Sequence, residues 1–230
     1  MDLSGKVLVV TGADGALGQA AAAILSGYGA KLALLSHAAT SAGKPPSGAR
    51  HYGGIDLTQE TAARSAMQRV AQDAGGIDGL INIAGGFRWE KLEGGTIDTW
   101  DAMYKINLRT AVISCQAALP YLVRSSRGRI VNVGAMGAVK ASAGMGPYAA
   151  SKAGIAQLTE ALADELKGRG VTVNAILPST LDTPRNRQDM PQADFKGWVT
   201  LNEAAELIAF LVSDQASAVT GALIPIAGRV

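Results

Sequence analysis

Apolar residues along the chain form two kinds of segment. Short, continuous aliphatic or β-branched runs are typical of strands buried on both faces of a parallel sheet. Longer Ala-rich segments with helical spacing lie between them. Strands are predicted at Lys6–Thr11, Lys31–Leu35, Arg50–Tyr52, Gly79–Ile83, Arg129–Val133, Val171–Leu177 and Leu223–Ile226. Helices are predicted at Leu17–Tyr28, Gln59–Ala74, Ile97–Val123, Tyr148–Lys167 and Asn202–Val212.

This alternation predicts an α/β fold, a doubly wound parallel sheet of about seven strands with helices on both faces. Two irregular stretches interrupt it: Ala38–Gly48 is rich in Ser, Gly and Pro, and Pro178–Trp198 contains three prolines. Both are predicted to be surface loops, the second an insertion over the strand ends, where loops often close over ligands. No linker divides the sequence, so one domain spanning residues 1–230 is predicted.

Composition narrows the range of functions. The 21 Lys and Arg residues are scattered and nearly balanced by 19 Asp and Glu, which argues against a nucleic-acid partner. No apolar stretch is long enough to span a membrane. Cys115 is the single cysteine and lies in an apolar run, so we expect a buried structural thiol. With no signal-like segment at the start, these features favour a cytoplasmic protein. The two histidines have no ligand-like neighbours, and no metal site is expected.

A glycine turn follows the first predicted strand and opens the first helix. Its sequence, Thr11 to Gly18, is Thr-Gly-Ala-Asp-Gly-Ala-Leu-Gly. Such a turn lets the backbone approach a pyrophosphate, whose charge the helix N-terminus stabilises. In this position the turn indicates a Rossmann-type dinucleotide site, although an ordinary tight turn is the alternative.

The second predicted strand ends without the acidic residue that often binds the adenosine ribose. Ser36 and His37 stand there instead. Ser36 could bond a 2′-phosphate, and His37 could add partial positive charge, although it could equally be a solvated loop residue. The cofactor is therefore expected to be NADP or NAD, with NADP slightly favoured.

Tyr148 and Lys152 lie four residues apart at the start of a predicted helix, so both side chains project from one face. The pKa of a free tyrosine, about 10, is too high for easy proton exchange at neutral pH. A neighbouring ammonium favours the phenolate and makes the tyrosine a usable acid–base group. The pair alone could arise by chance, but together with the glycine turn it indicates catalysis.

Taken together, these segments resemble the short-chain dehydrogenase/reductase family over the whole chain. Gly54–Leu57 resembles the family's adenine-contacting segment, and Asn82–Gly85 is similar to its Asn-Asn-Ala-Gly strand end. Lys105–Leu108 matches the helix that supplies a catalytic asparagine. Val173–Pro178, followed by Thr183, resembles the stretch that holds the nicotinamide carboxamide.

The resemblance implies a role for each matching residue. Tyr148 would donate a proton to the substrate while the nicotinamide supplies the hydride, Lys152 would lower the pKa of Tyr148 and bind the nicotinamide ribose, and Asn107 would hold a water for proton relay. The other implied cofactor contacts are Gly12, Gly15, Leu17 and Gly18 at the pyrophosphate, Ser36 at the ribose, Asp56, Leu57, Asn82 and Ala84 on the adenosine side, and Pro178 and Thr183 at the nicotinamide.

The sequence departs from the family at Ala135, where a serine usually hydrogen-bonds the substrate oxygen. Ser142 lies nearer Tyr148 in the sequence, and spacing alone does not decide whether it replaces that serine. The middle glycine of the turn is also shifted, so that Ala16 follows Gly15. Both departures, together with the predicted insertion Pro178–Trp198, resemble the quinoid dihydropteridine reductase branch of the family, which also lacks the serine. Phe87 could then form an aromatic wall for a flat heterocycle.

Several functions follow as expectations. The first is an NAD(P)H-dependent reductase of a quinonoid pteridine or carbonyl substrate, and the alternative within that class is a 3-oxoacyl-thioester or general ketone reductase. From another class, a non-catalytic NAD(P)-binding sensor is the alternative, since Ala135 removes one catalytic element. The partner is a small-molecule substrate, and the resemblance implies a homodimer or homotetramer built from the long helices.

Overall fold

The computed structural model describes residues 1–41 and 43–229; Ala42, within the predicted loop Ala38–Gly48, and Val230 lie outside the described residues. Seven parallel strands form one sheet in the order β3-β2-β1-β4-β5-β6-β7. Their bounds are β1 Val7–Thr11, β2 Lys31–Leu35, β3 Ala49–Tyr52, β4 Gly79–Asn82, β5 Arg129–Val133, β6 Thr172–Pro178 and β7 Leu223–Ile226. The predicted doubly wound sheet is confirmed.

Helices cover both faces of the sheet. They are α1 Ala16–Gly27, α2 Glu60–Ala74, α3 Ile97–Met103, α4 Thr110–Leu122, α5 Gly146–Leu166, α6 Pro184–Asp189 and α7 Leu201–Val212. Successive residues of β1 point to opposite faces: Val10 packs in the cluster formed with α1 and α7, and Val9 packs with α2, α4 and α5. Both faces of the central strands are therefore buried, as their continuous apolar runs predict.

The predicted helix Ile97–Val123 is wrong in one respect, because it is not a single regular helix. Between α3 and α4 the chain forms a π-helical segment, Tyr104–Arg109, which contains the buried Asn107. The Asn107 amide bonds to groups outside its own helix, and π-segments of this kind often occur at functional sites. Hydrophobic spacing carries no sign of such bonds.

The predicted loop Pro178–Trp198 is also only partly correct, since it contains the short helix α6. Thr183 begins this helix by accepting a hydrogen bond from the Asn186 N–H at 3.0 Å, and Pro184 follows in the first turn. A parallel bridge between Leu181 and Val199 fastens the two ends of the insertion. Over residues 1–41 and 43–229, no helix combines the length and apolar character needed to cross a membrane.

Candidate active site

The ends of β1 and β4 define the site. The chain leaves β1 towards β2 and β3 and returns to the other side of β1 as β4, so a crevice opens between these two strand ends. Thr11 joins them, because its Oγ1 accepts the N–H groups of Ile83 at 3.1 Å and Ala84 at 3.2 Å. Sequence reasoning gave Thr11 no role of its own, although it is the first residue of the glycine turn.

The glycine turn is held close to the end of β4. Gly12 has a φ of +65°, and a Cβ there would lie 2.8 Å from the backbone nitrogen of Ala84. A Cβ at Gly18 would collide with the Gly12 carbonyl oxygen. No side chain caps α1 at Gly15, so the first N–H groups of the helix are available to an anion. This cradle fits the pyrophosphate of a dinucleotide, and the shifted glycine does not disrupt it.

Three predicted adenosine contacts already have structural roles. The Asp56 carboxylate accepts bonds from the Thr58 N–H at 2.9 Å and hydroxyl at 2.7 Å, and these bonds lower its pKa. Leu57 is buried in the core beside α2. The Asn82 amide donates to Asn132 Oδ1 at 2.9 Å and to the Cys115 sulfur at 3.3 Å. Asn82 therefore ties the strand ends together from inside, and its side chain does not present a donor to the crevice.

Cys115 is buried on α4, as the sequence predicts. Burial raises the pKa of its thiol to about 12, so the thiolate needed for nucleophilic chemistry does not form near neutral pH.

The structure brings Tyr148 and Lys152 to the end of β5. Tyr148 and Lys152 lie in the first turns of α5, and the Lys152 ammonium donates to the Val133 carbonyl oxygen at 2.7 Å. The Phe87 ring meets the Tyr148 ring edge-on, with centroids 5.0 Å apart. The Tyr148 ring thus projects from α5 against the loop that follows β4, next to the crevice.

The pKa values of the pair differ from the sequence prediction. Burial raises the pKa of Tyr148 to about 12 and lowers that of Lys152 to about 8. In this structure, then, Lys152 does not lower the pKa of Tyr148, because desolvation dominates both groups and the ammonium bonds to a backbone carbonyl. The same desolvation brings the lysine into the range where it exchanges protons near neutral pH.

Asn107 occupies the middle of the site, where its side chain bonds to other segments of the protein. Its Oδ1 accepts the Gly86 N–H at 2.8 Å, while its Nδ2 donates to the Gly86 carbonyl at 3.1 Å and to Ser151 Oγ at 2.9 Å. Both amide hydrogens are therefore used within the protein. The side chain positions the loop after β4 against α5, and the relay water that the resemblance implies at Asn107 stays a prediction.

Ser151 is a site residue that sequence reasoning missed, although it lies inside the Tyr-x-x-x-Lys motif. Its buried hydroxyl accepts from Asn107 and donates to the Tyr148 carbonyl oxygen at 2.7 Å. It therefore connects the π-helical segment to the turn of helix that carries Tyr148.

We expect Ser151→Ala to lower kcat about tenfold with little change in the KM for cofactor, because Tyr148 is less firmly positioned. The lost hydrogen bonds should also lower the free energy of unfolding by about 1–2 kcal/mol. Steady-state kinetics and urea denaturation measure the two effects. Ser114→Ala is the matched control, since the Ser114 hydroxyl is buried and has no hydrogen-bond partner among the described residues. A normal kcat in Ser151→Ala would contradict the positioning role.

The remaining predicted residues lie around the same opening. Ala135 is buried two residues after the end of β5, and no hydroxyl replaces the missing serine at that position; Ser142 is exposed on the loop before α5. Pro178 ends β6, and Thr183 begins α6. Phe87 is 54% exposed, so its free face is open to a substrate next to Tyr148.

Comparison with known proteins agrees with this geometry. A family model described as short chain dehydrogenase matches residues 6–194. The 3-oxoacyl-(acyl-carrier-protein) reductase of Thermotoga maritima is 32% identical over 244 residues, which cover 99% of this chain and 98% of the reductase. The chain belongs to the short-chain dehydrogenase/reductase family, a family of oxidoreductases.

Two solved structures share the fold over nearly the full length of both chains. A short chain dehydrogenase from Burkholderia cenocepacia, in complex with NADP, has a TM-score of 0.86 and 32% identity, covering 99% of this chain and 98% of its own. The 3-ketoacyl-(acyl-carrier-protein) reductase of Brucella melitensis, complexed with NADH, has a TM-score of 0.88 and 25% identity, covering 99% of each chain. None of these three proteins supports the resemblance to dihydropteridine reductases.

Proposed function

We propose that this chain is an NAD(P)H-dependent reductase of a 3-oxoacyl thioester or a related ketone, with Tyr148 as the proton donor. The observation that carries the proposal is the placement of Tyr148 and the buried Lys152 beside the end of β5, across the crevice from an open glycine cradle. A catalytic acid and a dinucleotide cradle at one sheet edge are what hydride transfer requires.

Backbone groups would hold most of the cofactor. Gly12, Gly15, Leu17 and Gly18 belong to the turn and the start of α1, where the uncapped first N–H groups of the helix would face the pyrophosphate, and Ala84 forms the opposite wall at the end of β4. Pro178 and Thr183 would border the nicotinamide from β6 and α6. When bound, the reduced nicotinamide supplies the hydride. The whole chain would act as one cofactor-binding domain.

The protein's own residues supply the proton. The Tyr148 phenol, whose pKa burial raises to about 12, stays protonated at neutral pH and can donate to a developing alkoxide. Lys152, whose pKa is lowered to about 8, exchanges protons readily at that pH. Asn107 and Ser151 hold the two structural elements that carry these groups.

The substrate proposal favours a carbonyl compound over a pteridine. Two of the three similar proteins are named as 3-oxoacyl or 3-ketoacyl reductases. One observation still favours a quinonoid pteridine as the substrate. Ala135 offers no hydrogen-bond donor to the substrate oxygen, and an electron-poor substrate would need that donor least. Phe87 could border either substrate.

Replacing Ala135 by Ser tests this choice. If the substrate is an unactivated ketone, a hydroxyl at this position should raise kcat/KM about tenfold, because it adds a donor to the developing oxyanion. Quinonoid dihydropterin reduction should change little. Initial rates with 3-oxoacyl thioesters, ketones and the pterin, with NADH and NADPH, measure both responses. Ala138→Ser, which adds a hydroxyl one turn later, is the control. An equal response of both substrate classes to Ala135→Ser would show that Ala135 does not distinguish a ketone from a pterin.

We also propose that the protein forms a homodimer or homotetramer through the α3–α4 region and α5. Ile97, Tyr104 and Ile106 support this, since they are large apolar side chains exposed along that region by 71%, 51% and 40%.

A further inference from the structure

Three polar side chains from three separate segments meet beside the end of β2. His51 on β3 has its Nε2 2.7 Å from Ser36 Oγ, the first residue after β2. The same nitrogen is 3.8 Å from Asp14 Oδ2, which belongs to the glycine turn. In dinucleotide-binding folds, the residue at the end of the second strand reads the 2′ position of the adenosine ribose. A carboxylate and an imidazole therefore lie at that position here, although the strand itself ends without an acidic residue.

The hydrogen bonds define the state of this cluster. The Ser36 hydroxyl donates its single hydrogen to the Ala38 carbonyl oxygen at 3.0 Å, so its lone pair accepts from the Nε2–H of His51. Ser36 therefore has no hydrogen left for a ribose phosphate, contrary to the role that the sequence suggests for it. The groups that can carry charge here are the Asp14 carboxylate and a doubly protonated His51.

We propose that Asp14 and His51 together set the ratio of NADP affinity to NAD affinity. Asp14 weakens the binding of the 2′-phosphate, and protonated His51 strengthens it. This inference rests on the proposed function. NADP differs from NAD by a phosphate that carries between about one and two negative charges near neutral pH. A carboxylate close to that phosphate repels it, whereas the 2′-hydroxyl of NAD is neutral. An imidazolium between them offsets the repulsion.

The charged neighbours of His51 along β3 face away from it. Its strand neighbours Arg50 and Tyr52 point to the opposite face of the sheet, where both contact Asp73. His37 is exposed on the loop after Ser36. Asp14 is therefore the charged side chain seen in contact with His51 among the described residues.

Calorimetric titration of the purified protein with NAD⁺ and NADP⁺ tests the proposal without any turnover. Asp14→Asn should raise the ratio of NADP⁺ affinity to NAD⁺ affinity about tenfold, because both nucleotides share the pyrophosphate and only NADP⁺ carries the 2′-phosphate that Asp14 repels. In the wild type, the ratio of NADP⁺ to NAD⁺ affinity should rise as the pH is lowered, because a protonated His51 offsets the charge of Asp14.

His51→Gln separates this effect from the ionisation of the phosphate itself, which also titrates near pH 6. The pH dependence of the affinity ratio should shrink about fivefold or more in His51→Gln and persist in the matched control His37→Gln. An unchanged affinity ratio in Asp14→Asn, or a pH dependence that is lost in His37→Gln and kept in His51→Gln, would contradict this inference. Neither result would affect the proposed function. If neither nucleotide binds the wild type at any pH, both this inference and the proposed function fail.

Discussion

Tyr148→Phe is expected to lower kcat by about 10³-fold or more while the cofactor Kd changes less than about threefold. The substitution removes only the phenolic hydroxyl, and the ring keeps its edge-on contact with Phe87. The loss should therefore fall on the chemical step and not on binding. Steady-state rates with saturating NADPH or NADH, together with a fluorescence titration of cofactor, measure the two quantities separately.

Tyr28→Phe is the matched control for this substitution. The Tyr28 hydroxyl donates to Glu206 at 2.8 Å, far along the chain from the site, so its removal should leave kcat within about twofold of the wild type. Turnover at the wild-type rate in Tyr148→Phe would show that another group donates the proton.

Lys152→Met should abolish most activity and yet stabilise the protein. Burial lowers the pKa of Lys152 to about 8, so the folded state binds this proton less tightly than the unfolded chain does. At neutral pH the buried ammonium costs free energy, and its removal should raise the free energy of unfolding by about 2 kcal/mol, after the lost bond to Val133 is counted. A gain in stability with a loss of activity is expected of a residue kept for function.

The lowered pKa of Lys152 also fixes the direction in which stability changes with pH. Between the folded pKa of about 8 and the unfolded pKa of about 10.5, the unfolded chain binds more protons, so wild-type stability should rise with pH through that window. Lys152→Met should lack the rise. Urea denaturation across the window measures it, and a less stable Lys152→Met protein at neutral pH would contradict the account.

Lys6→Met is the matched control for Lys152→Met. Lys6 is also buried and its pKa is also lowered, but it lies at the opposite end of β1 and pairs with Asp214 at 2.6 Å. Its removal should leave kcat nearly unchanged and should not reproduce the gain in stability, because a charge-assisted bond is lost.

Local patterns were enough to predict the strands, because continuous apolar runs such as Val7–Thr11 are buried on both faces of the sheet. The glycine turn and the Tyr148–Lys152 pair were predictable for a similar reason: each depends on spacing within one short segment. The structure places both at the same sheet edge, as the order of elements requires.

What the sequence could not predict depends on contacts between distant segments. The π-helical segment forms where Asn107 bonds to Gly86 and Ser151, and neither bond leaves a mark on hydrophobic spacing. Likewise Asp14 reaches His51 only because the glycine turn and β3 end beside each other. The pKa values of Tyr148 and Lys152 follow from burial, which depends on the whole fold.

The most direct test of the central claim is the fate of the hydride. The wild-type protein would be given a 3-oxoacyl thioester and reduced nicotinamide cofactor with deuterium in both C4 positions of the ring, and the product would be analysed by mass spectrometry. We expect one deuterium on the new carbinol carbon in the wild type, and formation of this product about 10³-fold more slowly with Tyr148→Phe. Tight cofactor binding without deuterium transfer to this thioester or to any ketone tested would contradict the central claim and favour a cofactor-binding sensor.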